Sequence, residues 1–300
     1  MVKRTRREFV KGAFITTGAA IAAGCSSQGT TGSPKTEVSP NPYRIAFVTD
    51  LHFSGEKKHE EMWQRLLARL AEERVDFVLG GGDWITEGAK ISRSEARDRL
   101  STFAEIWSRI PHPKALIPGN HDLARSSDGS ALTMELFQEV FPEWRTNNRI
   151  DLPNLMILTV QSVFPVDGHY KGYIGRDQVE WLQAQLQGIP LHTPLAIATH
   201  IPFLTGLYQR TMGVAFQPPA DQYVENSVEV LNQFSHHNLQ LVFQGHLHVH
   251  EVIQWQHTSF VTGGAVCGRW WRGDHHGTPP GFRVVEVGKI GIGRYVSLGG

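Results

Sequence analysis

The chain of 300 residues has 29 lysines and arginines against 29 aspartates and glutamates, so its formal charge at neutral pH is zero. Apolar residues make up 40% of it, which is enough for a sizeable buried core and excludes disorder for most of the chain. Two cysteines exclude a disulfide framework and a cysteine-based zinc ribbon. Fifteen histidines, with no run typical of a tag, are the unusual feature of the composition.

Residues 1–24 differ from the rest of the chain in charge and composition. Their basic residues outnumber acidic ones by four, so the remaining residues carry a net charge of −4. The apolar stretch 12–23 is shorter than the about 20 residues that span a bilayer and is typical of an export signal. Arg6 and Arg7, followed at fixed spacing by Phe9, resemble the twin-arginine export motif. An ordinary basic signal peptide is the alternative.

A lipid attachment site is predicted directly after this segment. The sequence AAGC at 22–25 resembles a lipoprotein box in which Cys25 is lipidated, although Ala22 stands where that box usually has leucine. Plain cleavage by a signal peptidase is the alternative. Residues 25–42 are mostly Ser, Thr, Gly and Pro and predict a flexible tether. We therefore expect a folded domain at 43–300, exported by the twin-arginine route to the periplasm or to the outer face of the cytoplasmic membrane.

From residue 43 onward, short apolar runs alternate with amphipathic stretches, which indicates one α/β domain without internal repeats. Strands are predicted at 45–48, 77–79, 115–117, 195–198 and 239–243. Helices are predicted at 58–73, 94–109, 131–140, 176–187 and 225–236. After residue 249 the pattern predicts antiparallel strands at 249–255, 258–262, 282–287 and 293–296.

Side chains that bind metals follow each of the first five predicted strands. They are Asp50 and His52; Asp83; Asn120, His121 and Asp122; His200; and His246 and His248. Because ligands gather at the carboxyl ends of strands in open α/β sheets, we expect these side chains to meet. Residues two apart in extended backbone point the same way, so each D-x-H or H-x-H pair faces one ion. The intervening Leu51 and Leu247 are expected to point into the core.

In their order along the chain, these motifs resemble those of the calcineurin-like metallophosphoesterases. That family has D-x-H, G-D, G-N-H-D/E, a lone His and G-H-x-H, matched here at 50–52, 82–83, 119–122, 200 and 245–248. The resemblance covers residues 43 to about 260. One motif alone would be weak, but all five in order argue against a purely structural origin. Many relatives continue G-D with x-x-D, or in purple acid phosphatases with x-x-Y. Thr86 occupies that place here, which disfavours the purple subgroup.

The resemblance implies a four-layer α-β-β-α sandwich of two mixed sheets flanked by helices, with a dinuclear metal site at the strand C-terminal ends. It implies one ion on Asp50, His52 and His248, a second on Asn120, His200 and His246, and Asp83 bridging the two. Imidazole, carboxylate and amide ligands suit Mn, Fe or Zn and exclude a thiolate site. A metal-bridging hydroxide is then expected to attack the phosphoester.

The resemblance also implies that His121 protonates the leaving oxygen and contacts the phosphate together with Asn120, while Asp122 holds the His121 ring in position. A purely structural His121 is the alternative. The glycine-flanked loop 263–273 supplies candidate substrate-binding residues in Arg269, Trp270 and Arg272, since Arg grips phosphate and Trp stacks on rings. A loop packed by its tryptophans is an equal alternative.

The remaining histidines and the second cysteine are assigned structural places. Cys267 is expected to be buried and inert. His250 is expected to be a strand residue facing solvent or the rim of the core. The other histidines, at positions 59, 112, 169, 192, 236, 237, 257, 275 and 276, are assigned to the surface or the core.

The function favoured by these motifs is metal-dependent hydrolysis of small phosphoesters. We lean by analogy to a phosphodiesterase, with cyclic nucleotides among the candidate substrates, and a phosphomonoesterase of the same fold is the alternative. A non-catalytic metal-binding scaffold and a nuclease are disfavoured. The charge of −4 and the lack of a stripe dense in Lys and Arg argue against binding to duplex nucleic acid. A lipid on Cys25 would add a membrane contact, and the oligomeric state is left open.

Overall fold

The computed structural model of the chain describes residues 42–287 and 293–299. The export signal, Cys25 and nearly all of the tether lie outside these described residues. The helices are α1 (Lys57–Glu73), α2 (Arg93–Ser108), α3 (Glu135–Val140), α4 (Arg176–Gln187), α5 (Leu207–Met212) and α6 (Ser227–Asn232), with a one-turn 3₁₀-helix at Asn120–Asp122. Among the residues that the structure describes, no helix is long and apolar enough to cross a membrane.

Fifteen strands are formed by the described residues. The first eight are β1 (Tyr43–Val48), β2 (Phe77–Gly80), β3 (Lys114–Leu116), β4 (Ala124–Arg125), β5 (Leu132–Thr133), β6 (Asn147–Leu152), β7 (Leu155–Val160) and β8 (Val163–Val166). The others are β9 (His169–Gly172), β10 (Leu195–Ala198), β11 (Leu239–Gln244), β12 (His250–Trp255), β13 (Thr258–Gly263), β14 (Gly281–Val287) and β15 (Arg294–Ser297).

Two mixed sheets contain most of these strands. The first has the order β15-β14-β1-β2-β3, in which β1, β2 and β3 are parallel and β14 runs antiparallel to β1. The second has the order β12-β13-β11-β10-β7-β6, with four parallel strands at its centre and an antiparallel strand at each edge. Two short hairpins, β4-β5 and β8-β9, complete the strands.

Three apolar clusters separate four layers of structure. Trp63 of α1 and Phe103 of α2 lie in the cluster that covers the outer face of the first sheet. Phe47 and Phe243 meet between the two sheets with ring centroids 5.2 Å apart. Leu182 of α4 lies in the third cluster, against the outer face of the second sheet. The predicted four-layer α-β-β-α sandwich of two mixed sheets is therefore confirmed.

Local sequence explains where the two long helices begin and end. The apolar residues of α1 recur at helical spacing, and Trp63, Leu66 and Leu70 are fully buried. This helix ends at Arg74, whose φ of 52° is left-handed and stops the helical hydrogen bonding. The second helix begins at Ser92, whose side chain accepts a hydrogen bond from the Glu95 amide. Both helices therefore present one apolar face to the first sheet.

Several element predictions are wrong in extent or direction. The helix predicted at 131–140 covers only α3, because Leu132 and Thr133 pair with β4 instead. The helix predicted at 225–236 is limited to α6. The strand β13 pairs antiparallel with β12, as expected, but is parallel to β11 and so extends the second sheet. The strands β6 to β9 were not predicted, and Asn148, Arg149 and Asp151 give β6 the polar character of an exposed edge strand.

Candidate metal centre and cleft

The carboxyl ends of five parallel strands bring the predicted metal ligands together. The ligands lie just beyond these strands: Asp50 and His52 after β1, Asp83 after β2, Asn120 after β3, His200 after β10, and His246 and His248 after β11. Six of the seven are buried, and His246 is partly exposed. Both sheets therefore contribute ligands to one site, at the edge where open α/β sheets bind theirs.

The first group of donor atoms surrounds the ring of His52. Its Nε2 lies 3.0 Å from Nε2 of His248, 3.5 Å from Oδ2 of Asp83 and 3.9 Å from Oδ1 of Asp50. The Nε2 atom of His248 is in turn 3.3 Å from Oδ1 of Asp50. Two imidazoles and two carboxylates thus direct their lone pairs into one small volume.

The second group shares Asp83 with the first. Nε2 of His200 lies 3.3 Å from Oδ2 of Asp83 and 3.1 Å from Oδ1 of Asn120. Donor atoms of Asp83, His200 and His246 all lie within 4.8 Å of one another. Oδ1 of Asp83 accepts the backbone N–H of His121 at 2.8 Å, which leaves Oδ2 between the two groups. Asp83 therefore occupies the position expected of a bridging ligand.

Hydrogen bonds behind the site orient its rings. Nδ1–H of His248 donates to the Gly268 carbonyl at 2.7 Å, and Nδ1–H of His200 donates to the Gly81 carbonyl at 2.8 Å. These bonds fix the tautomer with a free lone pair on Nε2, which is the arrangement of metal-ligating histidines. Oδ2 of Asp50 accepts from the neighbouring threonine hydroxyl at 2.6 Å and leaves Oδ1 directed into the site.

Burial and the neighbouring carboxylates shift the pKa values of the site histidines in opposite directions. Burial lowers the pKa of His52 well below its usual value and that of His246 to about 3. Burial alone would also lower the pKa of His248, but the adjacent Asp50 carboxylate raises it well above its usual value. The charge of Asp83 overcomes burial in the same way and raises the pKa of His200 to about 9. The carboxylates therefore favour positive charge inside the site.

Unpaired buried atoms show that the site fits metal ions. Among the described residues, Oδ1 of Asp50 and both ring nitrogens of His246 are buried without a hydrogen-bond partner. Buried polar atoms are normally paired, and lone pairs that converge from carboxylates and imidazoles are satisfied together by a divalent cation. The two groups joined by Asp83 therefore fit a dinuclear metal centre.

A left-handed backbone, rather than an extended one, directs five of these side chains inward. The residues with positive φ are Asp50 (57°), His52 (49°), Asp83 (57°), His246 (72°) and His248 (57°). The prediction that each pair lies in extended backbone is wrong, because the strands end before the ligands and the chain turns there. Such conformations cost about 1–3 kcal/mol each and concentrate at functional sites. Leu51 and Leu247 are buried, as predicted.

Two glycines allow the backbone to approach the ligands. Gly82 has a φ of 102°, and a Cβ atom there would lie 2.6 Å from Nδ1 of His200. A Cβ atom on Gly119 would collide with the Asp83 carboxylate and lie 2.5 Å from the Asp83 backbone nitrogen. The glycines of the G-D and G-N-H-D motifs are therefore required by the space around the ligands.

His121 lies beside the metal ligands, with its ring centroid 4.7 Å from that of His52. Its Nδ1 atom accepts the backbone N–H of Glu87 at 3.2 Å, so the neutral ring carries its proton on Nε2. Burial lowers the pKa of His121 and favours this neutral form. His121 is therefore a neutral hydrogen-bond donor at the edge of the site.

Thr86 stands at the position of the second Asp of many relatives, and its Oγ1–H donates to the His52 carbonyl at 2.7 Å.

The role predicted for Asp122 is wrong. Its Oδ1 atom accepts the backbone N–H groups of Trp84 at 2.9 Å and Ile85 at 3.1 Å, and its Oδ2 atom accepts that of Gly119 at 2.8 Å. The carboxylate therefore ties together the two loops that carry Asp83 and His121. With both oxygens used in this way, the ring of His121 is positioned by a backbone amide instead.

Cys267 is buried behind His248, as predicted. Its Sγ atom lies 3.7 Å from Nδ1 of His248 and 3.4 Å from the Gly268 carbonyl. Burial raises the pKa of the thiol, so it stays protonated, and Nδ1 of His248 already donates to that carbonyl. The sulfur therefore packs against the Nδ1 edge of His248, while Nε2 of that ring faces His52.

A cleft of about 460 Å³ opens above the metal ligands. Four of the ligands and His121 line it, together with Tyr170, Leu207, Tyr208, Thr211, Met212, Gln222, Leu247, Trp270, His275 and His276; the four ligands are Asp83, Asn120, His246 and His248. Of the predicted substrate-binding residues, Asn120, His121 and Trp270 line it. Arg269 and Arg272 are exposed and do not line the cleft, and their role in substrate binding stays a prediction.

Several residues that line the cleft were not predicted from the sequence. His275 and His276, assigned there to the surface or the core, follow Trp270 in the same loop and could have been found by that proximity. Tyr170 lies on β9, a strand that was not predicted, and Tyr208 lies on α5, a helix that was not predicted. No motif marks these tyrosines, because only the fold brings their segments to the cleft.

Comparison with known proteins agrees with this architecture. The chain is similar to a dimetal phosphatase from Danio rerio, with a TM-score of 0.58 and 14% identity over 86% of this chain and 98% of that one. It is similar to a Thermus thermophilus protein, with a TM-score of 0.55 and 13% identity over 86% and 100% of the two chains. GAP50, the anchor in the inner membrane complex of Plasmodium, gives a TM-score of 0.54 and 14% identity over 85% and 84%. Such low identities show a shared fold alone.

The sequence itself identifies the family. No curated protein matches the chain in sequence. The family model of the calcineurin-like phosphoesterases, however, matches residues 43–250. This span contains all seven residues whose donor atoms converge at the two sheets, together with His121. The chain therefore belongs to the calcineurin-like phosphoesterase family, and it is a metal-dependent phosphoric ester hydrolase.

Proposed function

We propose that this protein is a phosphodiesterase whose two metal ions are Mn, Fe or Zn. One ion would be held by Asp50, His52 and His248 and the other by Asn120, His200 and His246, and both would share Asp83. The two-metal site is supported above all by the position of Oδ2 of Asp83, which lies 3.5 Å from Nε2 of His52 and 3.3 Å from Nε2 of His200. Mixed imidazole, carboxylate and amide donors suit these metals.

The residues around the ions have separate tasks in this reaction. When bound, two such ions supply Lewis acidity toward a phosphoryl oxygen and lower the pKa of a water molecule. Nε2–H of His121 donates to the oxygen of the leaving group, since its Nδ1 atom is occupied by the Glu87 amide. Asn120 directs Oδ1 toward His200, which leaves its amide N–H groups for a phosphoryl oxygen.

The charge of the cleft favours diesters over monoesters. No lysine or arginine is found among the described residues that line it. A monoester approaches two negative charges at neutral pH because its second pKa is about 6, and cationic side chains usually recognise such groups. A diester carries one charge, and its second ester group meets the apolar wall of Leu207, Tyr208 and Met212. A phosphomonoesterase of the same fold is the alternative.

Two further functions are less well supported. A non-catalytic scaffold is suggested by the likeness to the anchor protein GAP50, but all predicted ligands and His121 are present in this chain. A nuclease would need cationic contacts to the nucleic-acid backbone, and the chain after residue 24 carries a net charge of −4.

We also propose that the enzyme acts outside the cytoplasm, attached to the membrane by a lipid on Cys25. The support is the twin-arginine motif and the AAGC sequence at 22–25. The Cys25→Ser variant, produced in cells, is expected to leave the membrane fraction and appear in the soluble exported fraction. An unchanged distribution between the two fractions would exclude the lipid anchor.

The proposed reaction is tested with metal-loaded protein on bis(p-nitrophenyl) phosphate and on p-nitrophenyl phosphate. We expect kcat/KM for the diester to be at least about tenfold higher, which corresponds to about 1.4 kcal/mol. A preference for the monoester would overturn the diesterase assignment. No hydrolysis of either ester by protein with two bound metals would overturn the catalytic role altogether.

Two variants separate catalysis from metal binding in the same assay. His121→Ala is expected to lose about 10²–10³-fold in rate, because it removes the hydrogen bond from Nε2–H to the leaving oxygen. Its metal content should stay at two ions per chain, since His121 is not a proposed ligand. Asp83→Asn is expected to lose metal instead, because it weakens the bridge between both groups. Full metal occupancy in Asp83→Asn would show that the ligand assignment is wrong.

A further inference from the structure

One aromatic side chain covers part of the candidate metal site. The ring of Trp270 lies 4.1 Å from that of His52, 5.2 Å from that of His248 and 5.0 Å from that of His121, measured between centroids. The side chain nevertheless remains 40% exposed and lines the cleft. Because part of the indole covers the ligands and part faces the cleft, it offers a flat apolar surface beside the reacting group.

The loop holds this indole in place against a conformational cost. Trp270 and Trp271 both have positive φ, at 49° and 63°, a region that side chains other than Gly, Asn and Asp rarely adopt. Nε1–H of Trp271 donates to the His52 carbonyl at 3.1 Å, and its ring stacks on His59 at 3.9 Å. The anchored Trp271 therefore fixes the strained backbone that presents Trp270.

The position of Trp270 relates it to the leaving group. Its ring is 5.0 Å from that of His121, whose Nε2–H is the proposed donor to the leaving oxygen. A substituent on that oxygen must extend into the cleft beside His121, and Trp270 lies there. Across the cleft, Leu207, Tyr208 and Met212 are apolar or aromatic, and Tyr208 is held by a 2.5 Å hydrogen bond to Gln222.

We propose that Trp270 determines specificity by stacking on a planar aromatic or heterocyclic group attached to the leaving oxygen. The preferred substrates are then phosphodiesters whose leaving group carries such a ring close to phosphorus. This inference rests on the proposed function, because it takes the direction of the leaving group from His121. Stacking on tryptophan accepts any flat ring, which explains how recognition is achieved without cationic residues in the described lining.

The test compares two phosphonates that differ only in a ring. Phenylphosphonate and methylphosphonate contain a phosphorus–carbon bond that the reaction does not break, and their binding to metal-loaded full-length protein is measured by calorimetry. We expect the wild type to bind phenylphosphonate about tenfold more tightly. Trp270→Leu should reduce this ratio to less than about twofold, while Trp270→Phe, which keeps a flat ring, should retain most of it.

A second tryptophan supplies the matched control. Trp255 lies on β12, is 67% exposed and does not line the cleft, so Trp255→Leu should keep the wild-type ratio. Equal affinity of the wild type for both phosphonates, or a preference that survives in Trp270→Leu, would overturn the proposal. Loss of metal in Trp270→Leu, measured by mass spectrometry, would also overturn it, because the indole would then only protect the ligands.

The two proposals fail in different ways. If bis(p-nitrophenyl) phosphate is not hydrolysed, the proposed function is wrong whatever the calorimetry gives. If it is hydrolysed while the phosphonates bind equally well, the enzyme assignment stands and the role of Trp270 is wrong. The binding measurement does not depend on turnover, so the two outcomes are read independently.

Discussion

Replacing Gly119 by alanine tests how tightly the fold positions the bridging ligand. The new Cβ atom would collide with the Asp83 carboxylate and lie 2.5 Å from the Asp83 backbone nitrogen. Ordinary van der Waals contact begins at 3.4 Å, so the two loops must separate by about 0.9 Å. Since Oδ2 of Asp83 lies within 3.5 Å of both His52 and His200, a shift of this size affects both metal positions.

We expect the Gly119→Ala variant to bind metal about 10–100-fold more weakly, the usual loss when the support of a ligand is changed. This corresponds to about 1.4–2.7 kcal/mol of binding free energy. Calorimetric titration of chelator-treated protein with Mn²⁺ gives the affinity, and circular dichroism checks that the variant is folded. Activity on bis(p-nitrophenyl) phosphate should fall in parallel.

Gly188→Ala is the control for this substitution. Gly188 follows α4 with a φ of −92°, and a Cβ atom there has its nearest neighbour 3.7 Å away. This variant should bind Mn²⁺ as the wild type does. Unchanged Mn²⁺ affinity in Gly119→Ala would contradict the bridging role proposed for Asp83.

Three further predictions concern stability. Asp122→Asn replaces an oxygen that accepts backbone N–H groups by an amide group, and it should lower the free energy of unfolding by about 1–3 kcal/mol in urea titrations. An unchanged urea midpoint would contradict the structural role of Asp122. Burial lowers the pKa of His59 to about 4 in the folded protein, against 6.5 in the unfolded chain, so the unfolded chain takes up the proton first. The contribution of neutral His59 to the free energy of unfolding is complete above pH 6.5 and should be lost as pH falls toward 4. A His59→Phe variant should show a flatter pH dependence of the urea midpoint; an equal slope would exclude His59 as the cause. Chelation should lower Tm, since ligand at 100 times Kd stabilises the fold by about 2.7 kcal/mol, and an unchanged Tm would argue against tight metal binding.

The sequence predicted those elements of the fold that have a strong local pattern. The helix α1 and the strand β10 were located within one residue, because apolar periodicity and fully apolar runs mark them clearly. The strands β6 and β9 escaped prediction because they are polar or short and lack the apolar run that marks a buried strand, although each pairs with its neighbour in sequence. The parallel pairing of β13 with β11 depends on how the sheet is assembled rather than on local sequence.

The candidate site was predictable where its residues follow buried strands. The structure brings all seven proposed ligands together, although left-handed turns, and not extended backbone, direct five of them inward. The contacts of Asp122 were not predictable, because its partners Trp84 and Ile85 belong to another loop. The places of Tyr170 and Tyr208 follow only from tertiary packing. Local patterns thus identify the metal chemistry, and the fold determines what surrounds the substrate.

The central claim, hydrolysis by a dinuclear metal site, is tested most directly by titrating metal into chelator-treated protein while following bis(p-nitrophenyl) phosphate hydrolysis. With a dinuclear site, the rate should rise from background and reach its maximum at two ions per chain. Protein with Asp83→Asn should fail to reach that maximum at the same metal concentration. Full activity in metal-free protein, or two bound ions with no hydrolysis, would show that the metal site is not the catalytic centre.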